Sequence, residues 1–168
     1  MLKAIDVAKA FVFLQNTQNA DNPENTEQIT QLKIQKLCYY AQAHFLLYYG
    51  KPLFAEKIEA WKHGPVVAEI YDNSLKADDL CQKWSVKKED FSHFTTEEKE
   101  IISYVFAKYG GYTAYRLRDM THEEAPYIKN YDEKNKHAGI PNDDILEYFK
   151  ERRQAHAKKI RLLAGLDD

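Results

Sequence analysis

The chain has 168 residues, 44% hydrophobic and 30% charged, with a net charge of −2 and a mean hydropathy of −0.65. That length suits one domain with a real core, and no stretch approaches the ~20 uncharged apolar residues a membrane-spanning helix needs. The net charge hides an asymmetry: residues 150–161, KERRQAHAKKIR, sum to +5, leaving −7 on the rest, a balance unlike the broadly basic profile of a nucleic-acid-binding domain.

The first segment, Ala4, Val7, Ala8, Phe11 and Leu14, repeats at helical spacing. Asp6 and Lys9 interrupt its apolar pattern, so it reads as an amphipathic helix over 4–15 rather than a signal peptide. A cytoplasmic location is the expectation. Residues 16–28, NTQNADNPENTEQ, are polar and aperiodic and read as a loop. Thr30 is placed to cap a long helix over 31–49 that ends at Gly50, with Pro52 just beyond. Ile34, Leu37, Cys38, Ala41, Phe45 and Tyr48 form one stripe of it, and Tyr39, Tyr40, Leu46, Leu47 and Tyr49 cover much of the remainder. A helix apolar on most sides belongs in the middle of a bundle.

Ile58 and Ala60 alternate with Lys57, Glu59 and Trp61, which predicts a short half-buried strand. Proline is favoured at the first helical position, so Gly64-Pro65 is read as a turn opening a helix with Val66, Val67, Ile70 and Tyr71 on its apolar face. Residues 83–87, KWSVK, are the candidate second strand, pairing with 57–62. Thr95 and Glu98 have capping-box spacing and open a helix stopped by Gly110-Gly111. Thr113 caps a shorter one, and Ile140-Pro141 begins the last, whose Ile145, Leu146, Phe149, Ile160 and Leu163 share a side. The expected fold is mainly α: a compact single-domain helical bundle around a long central helix, with a small antiparallel β element.

Chemistry-bearing motifs are scarce. The glycines form no phosphate loop, no Gly-x-Ser-x-Gly elbow occurs, and no two histidines have metal-site spacing. Cys38 and Cys81 are too few for a disulfide framework and read as reduced thiols. Cys38 lies within an apolar helix where a thiolate is costly, so a Cys–His nucleophile is not expected. His63, His122 and Glu124 could converge on a metal from separate elements, but nothing in their spacing requires it; no metal, cofactor or catalytic residue is assigned. The twelve tyrosines suit either a half-buried core or a sticky interface.

Four separate runs, in order, resemble the Panacea domain, the antitoxin domain of the SocA-like group that is also met in phage-associated proteins. The first is Thr30-x-Leu32-Lys33-Ile34-Gln35-Lys36-Leu37-Cys38-Tyr39-Tyr40-Ala41-Gln42, followed by Gly50-x-Pro52-Leu53-Phe54. Ile58-Glu59-Ala60-Trp61-x-x-Gly64-Pro65-Val66-Val67 comes next, then Thr121-His122-x-Glu124-x-Pro126 with the Ile140, Ile145, Tyr148, Phe149 finish. Tyr127 stands where the family usually has tryptophan. The resemblance covers about residues 4–150, which sets a domain over 1–150 and a basic helical extension over 151–168.

The resemblance implies a non-enzymatic antitoxin with no cofactor. Its partner would be a cognate protein toxin, usually encoded next door. It would neutralise the toxin by direct blocking or by delivering it, as a proteolytic adaptor, to a Clp-type AAA+ protease. Lys33, Lys36, Trp61, Lys62, His63, His122 and Glu124 are the partner-binding candidates, expected to share one rim beside the Gly64-Pro65 turn, where a helix N-terminus would favour an acidic visitor. Alternatively, the fold accounts for the Gly-Pro turn alone. The basic tail, with Arg152, Arg153, Lys158, Lys159 and Arg161, is a solvated face, a partner contact or a nucleic-acid contact. The second functional reading is therefore a DNA-binding transcriptional regulator using that last helix.

Overall fold

Thr30 opens the central helix α2 (Gln31–Tyr49): its hydroxyl accepts from the Lys33 N–H at 3.2 Å, and Gly50 closes it in the left-handed region at φ 66°. Every residue from Lys33 to Leu46 is buried. The computed structural model describes residues 1–75 and 77–163, and within it the other elements wrap α2. These are α1 (Ala4–Asp21), the strands β1 (Ile58–Trp61) and β2 (Gly64–Val67), α3 (Ala68–Ser74) and α4 (Leu80–Lys83). A short 3-10 helix at Lys88–Phe91 is followed by α5 (Thr96–Tyr109), α6 (Ala114–His122), α7 (Ala125–Asn130) and α8 (Asn142–Leu163). The fold is mainly α around one long central helix, with one small antiparallel hairpin. α1, α5, α6, α8 and β2 all pack on α2. Phe11, Ile34, Leu37, Phe45 and Phe54 are fully or nearly fully buried there, each contributing roughly 1.5–3 kcal/mol. No described helix is long and apolar enough to cross a membrane.

Four elements depart from the sequence expectation. α1 runs on to Asp21 through residues that read as loop. The Asn19 side chain explains it: it donates to the Glu27 carbonyl (2.8 Å) and accepts the Glu27 N–H (2.9 Å), fastening the returning chain to the helix. Residues 83–87 are not a strand. The edge of β1 they would need is taken by 138–140, since Ala60 N–H donates to the Ala138 carbonyl and Ile140 N–H to the Ile58 carbonyl, both at 2.8 Å. The apolar side of α8 ends early: Ile145 and Phe149 are buried, whereas every residue from 151 to 163 is exposed, Ile160 and Leu163 included. α8 itself continues without a break past residue 150.

Gly64-Pro65 does not open a helix. It begins β2, and α3 starts only at Ala68. Trp61 pairs with Gly64 across the two-residue turn Lys62-His63, and Ala60 with Pro65. Antiparallel pairs alternate between hydrogen-bonded and non-bonded, so Pro65 falls where its missing N–H costs no ladder bond. The outward groups of β2 are met by α2. Gln35 accepts the Val67 N–H (2.8 Å) and donates to the Val67 carbonyl (3.2 Å), while Lys36 Nζ donates to the Pro65 carbonyl (2.9 Å). Further along α2, Gln42 Oε1 accepts the Leu53 and Phe54 N–H groups, and its Nε2 donates to the Phe54 carbonyl. Polar residues on an otherwise apolar helix thus act as clasps for neighbouring backbone.

Gly64 has φ 97°, and a Cβ there would lie 2.8 Å from Lys36 Cε and Nζ and from Thr121 Oγ1. Gly64→Ala is therefore expected to lose at least ~2 kcal/mol, combining a left-handed backbone with overpacking. Urea unfolding checks this; an unchanged midpoint would contradict the close approach.

Candidate functional site

The seven partner-binding candidates occupy four places. At the tip of the hairpin, Lys62 and His63 are exposed and Trp61 is half-buried. Trp61 Nε1 donates to Glu59 Oε2 (2.8 Å), and its ring lies against Tyr71 (4.9 Å between centroids) and edge-on to His137 (5.4 Å). The Lys57 ammonium lies 4.0 Å from Glu59, and His137 Nδ1 is 2.9 Å from it. These contacts hold the Glu59 carboxyl below its usual range against the burial that would raise it. A groove of about 510 Å³ runs beside the tip between Trp61, Lys62, Tyr131 and Lys136. Because α3 begins four residues beyond Gly64, Gly64-Pro65 is not a helix N-terminus and supplies no helix dipole to favour an acidic visitor at this tip.

Beneath the hairpin lie Lys36 and His122. Lys36 is wholly buried, and burial, then the Arg118 charge, lowers its pKa to about 7. His122 stacks on Tyr127 (4.6 Å, 12°), whose hydroxyl donates to the Trp61 carbonyl (2.8 Å). Burial, then Arg118 and Lys36, lowers the His122 pKa, and its Nε2 is buried without a hydrogen-bond partner among the described residues. This layer joins the hairpin to α6 and α7, and its side chains build the tip rather than line it.

Lys33 and Glu124 are elsewhere. Lys33 is buried and pairs with Glu27 at 3.4 Å, tying α2 to the segment after α1. Glu124 is buried, accepting from the Tyr39 hydroxyl (2.8 Å) and the Tyr40 hydroxyl (3.1 Å), with the Arg152 guanidinium at 3.7 Å. Burial raises its pKa to about 7, against the pull of both tyrosines and Arg152. Tyr40 stacks on Tyr109 (4.1 Å, 5°), whose hydroxyl meets His44 Nε2 at 3.0 Å. Among the described residues no three His, Cys, Asp or Glu side chains could hold a metal ion, so His63, His122 and Glu124 do not form the metal grouping considered from sequence.

In the tail set, Arg152 belongs to the Glu124 network and also donates to the Tyr148 hydroxyl (3.2 Å). Arg153, Lys158, Lys159 and Arg161 lie on the exposed second half of α8. Sequence reasoning missed the roles of Tyr39, Tyr40, Gln35 and Gln42. The available signal was the spacing of polar groups along a helix whose apolar stripe already demanded burial.

The family model for the SocA-like antitoxin, Panacea domain, matches residues 34–128, from inside α2 to α7. α1 and α8 lie outside the matched span yet pack on it. Antitoxin SocA of Caulobacter vibrioides (strain NA1000 / CB15N) is 46% identical over 43 residues, 26% of this chain and 23% of that protein. The aligned stretch thus spans less than a quarter of the curated relative's length. No solved structure matches. With more than half of its length matched by the family model, the chain belongs to the SocA-like antitoxin family and carries a Panacea domain.

Proposed function

We propose that this chain is an antitoxin that binds and neutralises a cognate protein toxin, with the hairpin tip as part of the docking rim. The family match over residues 34–128 carries the reading. The placement is supported by the tip itself, where Lys62 and His63 are exposed beside the groove at Trp61 and the backbone behind them is pinned by Lys36, Gln35 and Tyr127. A rigid turn presenting exposed side chains next to a half-buried aromatic is the anatomy of an interface anchor.

The adjacent gene's product, purified with this chain, is expected to form a stoichiometric complex burying roughly 1,200–2,000 Å². Lys62→Glu with His63→Glu should weaken that complex about tenfold or more, since a like-charge or unpaired contact at a desolvated rim costs a few kcal/mol. Unchanged affinity with native circular dichroism would remove the hairpin tip from the interface. The toxin's half-life with and without this chain, in cells having or lacking a Clp-type protease, separates delivery from blocking. A shortened half-life that needs the protease marks the adaptor.

The exposed cations Arg153, Lys158 and Lys159 on α8 favour a second reading, DNA binding by that helix. It requires an affinity that falls steeply with salt and is abolished by removing residues 151–168.

A further inference from the structure

Away from the hairpin, α2, α5 and α8 enclose a cleft of about 580 Å³, within the roughly 300–1,000 Å³ typical of small-molecule sites. Its floor is made of buried side chains, His44, Tyr109 and Phe149. Lys108 of α5 and Arg152, Arg153 and His156 of α8 line it, and no carboxylate is among the described residues that do.

These cations are poorly neutralised. Lys108 has no carboxylate partner among the described residues. Its ammonium donates to the Tyr104 hydroxyl (3.0 Å) and sits over the rings of Tyr104 and Tyr109, at 5.3 and 5.2 Å from their centroids. Burial and then the Arg152 charge pull its pKa down. The same two cations, after burial, help lower His44 to about 3. Among the described residues that line the cleft, Arg152 alone is seen to meet a carboxylate, Glu124 at 3.7 Å, behind the floor. Like charges gathered at a partly desolvated site repel, and an anion placed among them relieves that repulsion.

The mouth is aromatic. Tyr48, Tyr104 and Tyr112 are 50%, 38% and 44% exposed, and Tyr48 and Tyr104 meet edge to face at 6.1 Å. Each therefore keeps part of its ring surface at solvent, although His44 stacks on Tyr48 (6.1 Å, 18°) and Lys108 lies over Tyr104. Exposed ring faces beside guanidinium and ammonium groups are what a planar heterocycle carrying phosphate needs: stacking for one end, charge-assisted hydrogen bonds for the other.

We propose that this cleft binds a nucleoside phosphate, with the phosphates on Lys108, Arg152 and Arg153 and the base against Tyr48 and Tyr104. The cleft is concave and holds one small molecule, whereas a stable protein partner needs about 800 Å² of surface on each side. The ligand bridges α5 to α8 and steadies the otherwise exposed second half of α8.

The test is calorimetric titration of the full chain with ATP, with inorganic pyrophosphate and with a single-stranded oligothymidylate, at physiological salt. ATP should saturate one site. Arg153→Ala and Lys108→Ala, both at exposed positions, should each weaken ATP about tenfold. Tyr48→Ala should weaken ATP by a similar factor while leaving pyrophosphate unchanged, and Lys88→Ala, remote from the cleft, should change nothing. Bound ATP should also slow amide exchange along residues 150–160. No binding of ATP at millimolar concentration, or wild-type affinity in both cation variants, overturns the site. Pyrophosphate as tight as ATP overturns the nucleoside assignment. Saturation by the oligonucleotide without ATP competition assigns the basic helix to nucleic acid instead and overturns the proposal.

Discussion

Glu124→Leu is expected to lower the unfolding free energy by about 3–5 kcal/mol at pH 5, because it strips the acceptor from two buried tyrosine hydroxyls at once. Tyr39 and Tyr40 are each 1% exposed, so no water replaces the lost carboxylate. The cost should shrink with rising pH. The Glu124 pKa is raised to about 7 in the folded chain from a usual 4.5. The folded state therefore holds the proton more tightly, and the residue's contribution is full below pH 4.5 and fades as pH climbs to 7. Adding Tyr39→Phe and Tyr40→Phe to Glu124→Leu should recover most of the loss, since removing both partners of a buried hydrogen bond is nearly neutral. Urea unfolding of the single and triple variants at pH 5 and pH 7 measures this. A triple variant no more stable than Glu124→Leu would mean that the tyrosine pairing is not where the energy resides.

Lys36 should show the opposite pH dependence. Its pKa is lowered from 10.5 to about 7 by burial, so between those values the unfolded chain binds a proton that the folded chain does not, and stability rises with pH. The shift corresponds to a penalty on the order of 5 kcal/mol, fully present at and below pH 7. Lys36→Met removes the penalty but leaves the Pro65 carbonyl without its donor, which costs about 1–3 kcal/mol. The net expectation at pH 7 is a gain of about 2–4 kcal/mol, together with a flatter stability profile between pH 7 and 9.5. Above that range the buried tyrosines, whose pKa values burial raises, oppose the trend as they lose stability toward high pH. A wild-type profile already flat from pH 7 to 9.5 would contradict a neutral Lys36 in the folded chain.

The elements whose ends are fixed by local chemistry were legible in the sequence. Thr30 and Gly50 bound α2, Thr95 and Glu98 form the capping box of α5, and Thr113 caps α6, all through neighbours within four residues. What escaped depends on contacts far apart in the chain. The last turns of α1 persist because Asn19 clasps Glu27. The Gly64-Pro65 pair carries a helix-start signature, yet its outward carbonyl is met by Lys36, and that long-range bond favours a strand. Arg152 reads as one more charge in a basic run, and only the approach of α8 to α7 sets it against Glu124.

The candidate site shows the same division. Trp61, Lys62 and His63 are contiguous, so their clustering at one tip follows from the turn alone. Lys33, Lys36 and Glu124 each face a different neighbour, which spacing along the chain does not encode. Much of the signature motif turns out to build the fold. Gln35, Lys36, Tyr39, Tyr40 and Gln42 are clasps and buried acid-holders, whereas Lys62 and His63, exposed at the hairpin tip, stand at the two positions that the signature leaves open.

Growth of the host with the adjacent gene induced, in the presence and absence of this chain, tests the antitoxin reading most directly. Arrest by the neighbour alone and full growth when this chain is co-expressed is the predicted result. A neighbour that is harmless by itself, or an arrest that this chain does not relieve at equal expression, would contradict it.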